Sequence, residues 1–326
     1  CINRPGPPMA EWRSLGLDVG TSGVRGCLLD TEGQCRAMAE QGVGVAHRDG
    51  VVHERDPEAV WQAVGAVTAE LTDQVGAAAI AAVAVDGTSG TLIPTDDAGG
   101  PLTSALLYDD ARAQQAAARI AERAPRESGA HGPTSGLAKL IHLLAENRLA
   151  EARWALHEAD WVAGRLTGQF GVTDENNALK LGYDPVARQW PAWVTELVPI
   201  DLLPRVVPPG TRLIGVGEQA AAATGLAPET PVYAGTTDSV AAFLATGASE
   251  PGEAVTSLGS TLALKVVSDI PVFDPPSGVY SHRLGERWLA GGASNSGGAV
   301  LAQFFTSAEL AALTPRLAPA RPTGLD

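Results

Sequence analysis

Four stretches of this chain set acids, hydroxyls and glycines side by side: GLDVGTSGVRG (16–26), VAVDGTSGTLI (83–93), VYAGTTDSVAAF (232–243) and VTSLGSTLALK (255–265). In the first, Asp18 ends an apolar run and the turn Gly20-Thr21-Ser22-Gly23 follows. Such a tip can aim several backbone N–H groups and two hydroxyls at an anion, with Gly20 and Gly23 leaving room for its approach. A carboxylate beside a bound phosphate would repel it unless a cation such as Mg²⁺ lay between, so the acid and the turn together suit a metal–phosphate site. A plain surface hairpin satisfies the wording of one such turn equally well. An acid placed straight after a buried run, and the recurrence of the pattern, favour chemistry.

The alternatives for the first turn fail on context. A P-loop or a dinucleotide-binding turn needs a helix directly after its glycines, so that the helix N-terminus meets the phosphate. Here VRGCLLD follows, which reads as a second strand. Asp238 has two readings that do not exclude each other. Asp before DSVAAFLA suits a helix N-cap, and the same carboxylate could take a proton from an attacking hydroxyl.

The elements that would carry these residues alternate between strand and helix. Strands are predicted over 14–19 and 24–30, and over 80–85, which delivers Asp86 to its end. Helices are predicted over 56–75, with Asp56 as N-cap and Pro57 in the first turn, and over 137–147 and 158–168, the last closing on Gly168. Residues 230–248 read as strand, tight turn, helix, and 253–267 as strand, turn, strand. The pattern indicates an α/β protein with a mixed sheet. Residues 250–253 (EPGE) mark an expected domain boundary.

Bulk properties narrow the class. The chain has 326 residues, 45% hydrophobic and 18% charged, with a formal net charge of −14. That charge argues against a nucleic-acid partner and fits a soluble cytoplasmic protein. No apolar run is long enough to span a membrane. Cys1, Cys27 and Cys35 show no metal-ligand spacing and suit a reducing compartment, with Cys27 packed as a small hydrophobe. Residues 1–14 read as a disordered or non-native extension, with Met9 as a candidate start.

Taken in order, these blocks resemble the FGGY carbohydrate kinases, of the superfamily that includes actin and the chaperone ATPases. The resemblance runs over nearly all of 15–326. It rests on GLDVGTSGVRG, AVDGTSGT, LYDDARA (107–113, with Tyr108 in a Trp place), ADWVAGRLTG, TDENNALKLGYDP (173–185), AGTTDSVAAFLATGA, SLGSTLALK and WLAGGASNSGGAVLAQFF (288–305). The wording is nearest to the xylulokinase-like and D-ribulose kinase-like group. The resemblance implies two RNase H-like domains around a cleft: a sugar-binding domain over 15–249 and the start of a nucleotide-binding domain over 250–326. It implies ATP and Mg²⁺ as cofactors and a small ketose, most simply D-ribulose or D-xylulose, as substrate.

By the same resemblance Asp238 is the catalytic base. Asp18 is catalytic too, orienting the nucleotide, and both acids are placed near the metal. Gly20, Thr21, Ser22 and Gly23 line the terminal phosphate, joined by Thr236 and Thr237 and by the facing loop Gly259, Ser260 and Thr261. Ser89, Asp110 and Arg112, together with Asp238, face the sugar. Arg25 stands where many relatives carry Lys. Family members continue past this point into a glycine-rich adenosine segment, so the chain is expected to be C-terminally truncated, a piece of an intact kinase. A sugar-binding or regulatory fragment, half of a split enzyme, and a kinase of a pentitol or glycerol are the alternatives. An actin-like filament protein would leave the sugar-side motifs without a role. Homo-oligomerisation is left open.

Overall fold

A computed structural model describes residues 12–258, 262–294 and 297–317. Its central sheet is mixed and six-stranded, in the order β12-β13-β6-β1-β2-β3. Those strands are β1 (Trp12–Val19), β2 (Gly23–Asp30), β3 (Cys35–Gly42), β6 (Val83–Gly87), β12 (Arg212–Gly215) and β13 (Pro231–Tyr233). The hairpins β1–β2 and β2–β3 are antiparallel, whereas β1, β6 and β13 run parallel. A five-stranded sheet inserted in the chain orders β4 (His47–Asp49), β5 (Val52–Arg55), β8 (Ala105–Leu106), β7 (Leu92–Thr95) and β9 (Trp154–His157). β10 (Val172–Asp174) and β11 (Arg205–Val207) form a small parallel pair. A four-stranded sheet follows in the order β14 (Ala254–Leu258), β15 (Leu262–Ser268), β17 (Arg287–Ser294), β16 (Tyr280–Leu284).

Period-two alternation makes the central strands work. Leu15, Leu17 and Val19 of β1, with Val83 and Val85 of β6, are buried in one core. The intervening Gly16, Asp18, Ala84 and Asp86 are only partly covered. Helix Pro57–Val75 lays Val60, Val64, Val67 and Leu71 on that core, and Asp56 caps it by accepting the Glu58 N–H at 3.0 Å. Helix Glu158–Thr167 adds Trp161, Val162 and Leu166 and ends on Gly168 at φ +74°. A second core, with Leu92, Leu106, Ile120, Leu137 and Leu140, belongs to the inserted region.

Two expected boundaries are crossed by shared structure. The extension expected at 1–14 yields its last residues to the sheet, because Trp12 pairs with Asp30 and Ser14 with Leu29, extending the hairpin. Residues 1–11 lie outside the described residues. Elements on either side of the break expected at 250–253 pack together. Helix Asp238–Leu244 buries Val240 and Phe243 against Val267 and Leu289 of the four-stranded sheet, so its apolar face belongs with the elements beyond 250.

The crossing into that helix depends on one glycine. A Cβ on Gly235 would sit 1.7 Å from the Val85 carbonyl oxygen, so the chain can pass the end of β6 only without a side chain. Thr237 then bridges to Gly87. Gly235→Ala is expected to destabilise the protein by about 3 kcal/mol in urea unfolding, the upper part of the usual range for forced overpacking. Gly16→Ala, where an added Cβ meets nothing within 4 Å, is the control and should change little. Equal effects of the two would remove the steric role assigned to Gly235.

Candidate active site

Asp18 and Asp86 lie abreast, paired in register at the ends of parallel β1 and β6. Both line a cleft of about 670 Å³, together with Gly20, Thr21, Arg25 and Thr88 from the first part of the chain. Asp238, Ser239, Ser257 and Lys265 line it from the helix and sheet that follow. Asp18 and Asp238 therefore open on a common crevice, and Asp86 stands between them in charge as well as in the fold. A more enclosed hollow of about 350 Å³, lined by Leu179, Tyr183, Trp193, Phe273 and Tyr280 among others, holds none of these acids.

The electrostatics of the three acids are coupled. Burial is the main force raising the Asp86 carboxyl, to about 8, and the charges of Asp18 and Asp238 and a hydrogen bond with Asp18 push the same way. Burial also raises Asp238, against the pull of the Ser239 N–H at 2.5 Å and the Thr88 hydroxyl. Lys265 is lowered to about 8 by burial and drawn back up by Asp238. Its Nζ donates to Ser239 Oγ at 3.0 Å, which holds it beside the helix start. Arg25 Nη1 donates to Asp18 Oδ2 at 3.1 Å, so the cation of β2 meets the first acid directly.

Among the described residues no three His, Cys, Asp or Glu side chains form a set that could hold a metal by themselves. A divalent ion here would need oxygens from a bound phosphate and from water, the habitual situation of Mg²⁺. The crowded acids suit such an ion, since a cation relieves the repulsion that adds to burial in raising Asp86.

The turn residues divide. Gly20, Thr21, Ser22 and Gly23 lie at the hairpin tip, closed by the Gly20 N–H to Gly23 carbonyl bond at 3.0 Å. A Cβ on Gly23 would come 2.7 Å from the Gln41 carbonyl oxygen, so its absence serves the β2–β3 pairing before it serves any ligand. Thr237, not Asp238, occupies the N-cap position of helix Asp238–Leu244, and Asp238 is its first residue. Thr236 is buried and accepts from Asn176 Nδ2 at 3.0 Å. Gly259, Ser260 and Thr261 lie outside the described residues.

Of the residues expected at the sugar, Ser89, Asp110 and Arg112 are not among those lining the acid cleft, whereas Asp238 is. Asp110 is fully buried, accepts the His53 backbone N–H at 2.8 Å and is forked by Arg112, which also reaches Glu54 at 2.7 Å. With these partners Asp110 and Arg112 brace the segment that carries the half-exposed Tyr108. Ser89 Oγ is buried without a hydrogen-bond partner among the described residues. Lys139 Nζ, fully buried nearby, donates to the carbonyls of Gly90 at 2.8 Å and Leu107 at 2.6 Å.

Several positioning residues escaped sequence reasoning. Asp86 carried the same signal as Asp18, an acid closing an apolar strand. Lys265 was quoted within its motif without a role, since nothing local marks a strand lysine that faces a cleft. Arg55 and Glu158 had no local signal, being 103 positions apart. They pair in the interior at 2.5 and 3.2 Å, and the remaining arm of Arg55 donates to the carbonyls of Gly20 at 3.1 Å and Thr21 at 2.8 Å. The phosphate-type turn is thus held from behind by a buried guanidinium. Asn176 joins three segments, donating to Thr236 Oγ1 and the Arg283 carbonyl and accepting the Arg283 N–H at 2.8 Å.

Two predictions follow from these contacts. Arg55→Lys keeps the charge but loses the fork, so the Gly20 and Val43 amides, both bonded within this tip, should exchange about 10- to 100-fold faster with deuterium. Unchanged exchange would show that the turn needs no clamp. Asp86 keeps its proton up to about pH 8 when folded, whereas an unfolded Asp releases it near pH 4. Between those values the folded state binds more protons, so this group's contribution makes stability fall as pH rises. Asp86→Asn should therefore shrink the loss of urea resistance between about pH 5 and about pH 8.5. The same loss in both proteins would contradict the raised proton affinity of Asp86.

The chain is similar to several sugar kinases. Gluconokinase of Bacillus licheniformis is 26% identical over 306 residues, covering 88% of this chain and 58% of its own length. Xylulose kinase of Escherichia coli strain K12 is 27% identical over 285 residues, covering 84% and 58%. The chain thus spans well under two thirds of these curated relatives. Among solved structures, xylulose kinase from Rhodospirillum rubrum superposes with a TM-score of 0.83 at 24% identity, covering 94% of this chain and 67% of that one. Gluconate kinase from Lactobacillus acidophilus does so at 0.81 and 21%, covering 91% and 62%. The fold is that of the actin-like sugar kinases. The model of the N-terminal domain of the FGGY family of carbohydrate kinases matches residues 14–245, and the chain belongs to that family.

Proposed function

We propose that this chain carries the sugar side and the phosphoryl-transfer corner of an ATP-dependent sugar kinase. The observation that carries the reading is the cleft in which Asp18, Asp86, Asp238 and Lys265 meet beside the Gly20–Gly23 turn. Asp238 is the base: burial lifts its proton affinity toward working pH, where a base is most effective, while Ser239 and Thr88 hold its orientation. Lys265 and Arg25 meet the charge of the transferred group. The backbone of the Gly20–Gly23 turn, with Thr21 and Ser22, binds phosphate oxygens, and Thr236, Thr237, Gly259, Ser260 and Thr261 are assigned to the nucleotide phosphates with it. Asp18, with Asp238, is the carboxylate that would hold Mg²⁺, which when bound neutralises phosphate charge. Little covalent work falls to the protein in such a transfer, so placement dominates.

The acceptor is a hydroxyl of a small ketose, D-ribulose or D-xylulose, received on the side of Ser89, Asp110 and Arg112. A sugar acid is the second reading, favoured by the likeness to gluconokinase along most of the chain. The division proposed is a sugar-binding domain over 15–249 and the beginning of a nucleotide-binding domain over 250–326, with helix Asp238–Leu244 packed on the latter. A cytoplasmic setting suits the requirement for ATP and the acidic chain.

The test is ADP release and sugar phosphorylation with D-ribulose, D-xylulose and D-gluconate. Asp238→Asn should lower turnover by roughly 10²- to 10⁴-fold while the sugar Kd changes little. Parallel losses in turnover and sugar affinity would remove the base assignment. Sugar binding by calorimetry with no affinity for MgATP would favour a sugar-binding module instead.

A further inference from the structure

The outer face of the β2–β3 hairpin carries two thiols in contact. Cys27 Sγ and Cys35 Sγ are 2.8 Å apart, and both cysteines are free. The register shows why they meet. Leu28 faces Ala37 and Leu29 faces Cys35, so Arg36 is an extra residue on β3 and makes a bulge there. A bulge re-aims the side chain beside it, and here Cys35 turns toward the diagonal position of Cys27. Cys35 is exposed, Cys27 is partly covered, and the Cys35 thiol also reaches the Ala37 carbonyl at 3.7 Å.

We propose that Cys27 and Cys35 are a modification site, forming a reversible disulfide across β2 and β3 on reaction with a peroxide. The exposed Cys35 sulfur attacks the peroxide O–O bond. It becomes a sulfenic acid and one water leaves. Cys27 sulfur then attacks the sulfenic sulfur, the S–O bond breaks, and the hydroxyl departs with the Cys27 proton as a second water. The two thiols give up two electrons and the peroxide takes them. Closing the bond needs the sulfurs to move together by less than about 1 Å, since a disulfide spans about 2.05 Å. Burial raises the Cys27 thiol to about 12, with Cys35 adding to the effect, so Cys27 stays protonated while Cys35 meets the oxidant. The neighbouring strands are already fixed by the sheet, so the second step is intramolecular between preplaced groups.

Trypsin places both cysteines in one peptide, Gly26–Arg36, and Cys1 in another, Cys1–Arg13, because the Arg4–Pro5 bond resists cleavage. After equimolar hydrogen peroxide on the folded chain, the Gly26–Arg36 peptide should lose two hydrogen masses, resist alkylation, and recover both on treatment with dithiothreitol. The folded chain should form this bond at least about tenfold faster than the chain unfolded in urea. In Cys27→Ser, Cys35 should accumulate as a sulfenic acid trapped by dimedone. A peptide that stays reduced, one recovered joined to Cys1–Arg13, or equal rates folded and unfolded would overturn the proposal. None of these readouts uses kinase activity.

Discussion

Three carboxylates that repel one another are brought to one end of the central sheet and kept there. Asp18 and Asp86 are side by side because β1 and β6 are parallel and in register, and Asp238 joins them because the chain crosses the end of β6 at Gly235. Left to itself the group would lower its charge, and it does so by leaving a proton on Asp86. Arg25 and Lys265 offset part of the rest. Such an arrangement stabilises nothing in the empty fold. It makes physical sense when a cation and a phosphoryl group enter, because each negative group that weakens the protein alone then gains a partner. In a chain of net charge −14, attraction for a nucleotide has to be generated locally, and the N–H groups of the tip, Arg25 and Lys265 are the groups available for it.

The corner is also shared between two packing units. Asp18 and Asp86 stand on the central sheet, whereas Asp238 and Lys265 stand on a helix and strand whose apolar residues form a separate small core with Val267 and Leu289. The Gly87–Thr237 bridge, the Thr88 hydroxyl on Asp238 and the Asn176 contacts to Thr236 and Arg283 are among the polar ties between them. A small rotation of one unit on the other would therefore move the proposed base relative to the phosphate turn. The turn itself is fixed differently, by the buried Arg55–Glu158 pair behind it. A fully buried ion pair of this sort is costly to break from one side, which suits a device that must hold a backbone tip in place.

The fold was legible where pattern and chemistry coincide within a few residues. Asp56-Pro57 announced a helix, Gly168 ended another, and GTSG between two apolar runs announced the hairpin that carries Asp18. The acid cleft was legible through Asp18 and Asp238, each bound to a turn. Asp86 obeys the rule that picks out Asp18, an acid closing an apolar strand. What could not be read were groups whose role arises only by convergence: Arg55 with Glu158, Asn176 with Arg283, Lys265 with Asp238. Each pair is joined by folding across tens of residues, and no local wording distinguishes it from an ordinary surface charge or amide. Asp110 and Arg112 show the converse. Their motif is conspicuous, yet their hydrogen bonds go mainly to each other and to neighbouring backbone.

The central claim is that residues 18, 86 and 238 form one corner for a metal-bound phosphate. Paramagnetic broadening by Mn²⁺ with ATP, followed on amide resonances of the isotopically labelled chain, reads that corner directly. The account predicts that Gly20–Gly23, Gly87–Thr88 and Thr237–Ser239 broaden together and that Asp18→Asn abolishes the effect. Broadening confined to one of these segments, or spread over surface acids elsewhere and indifferent to Asp18, would contradict it.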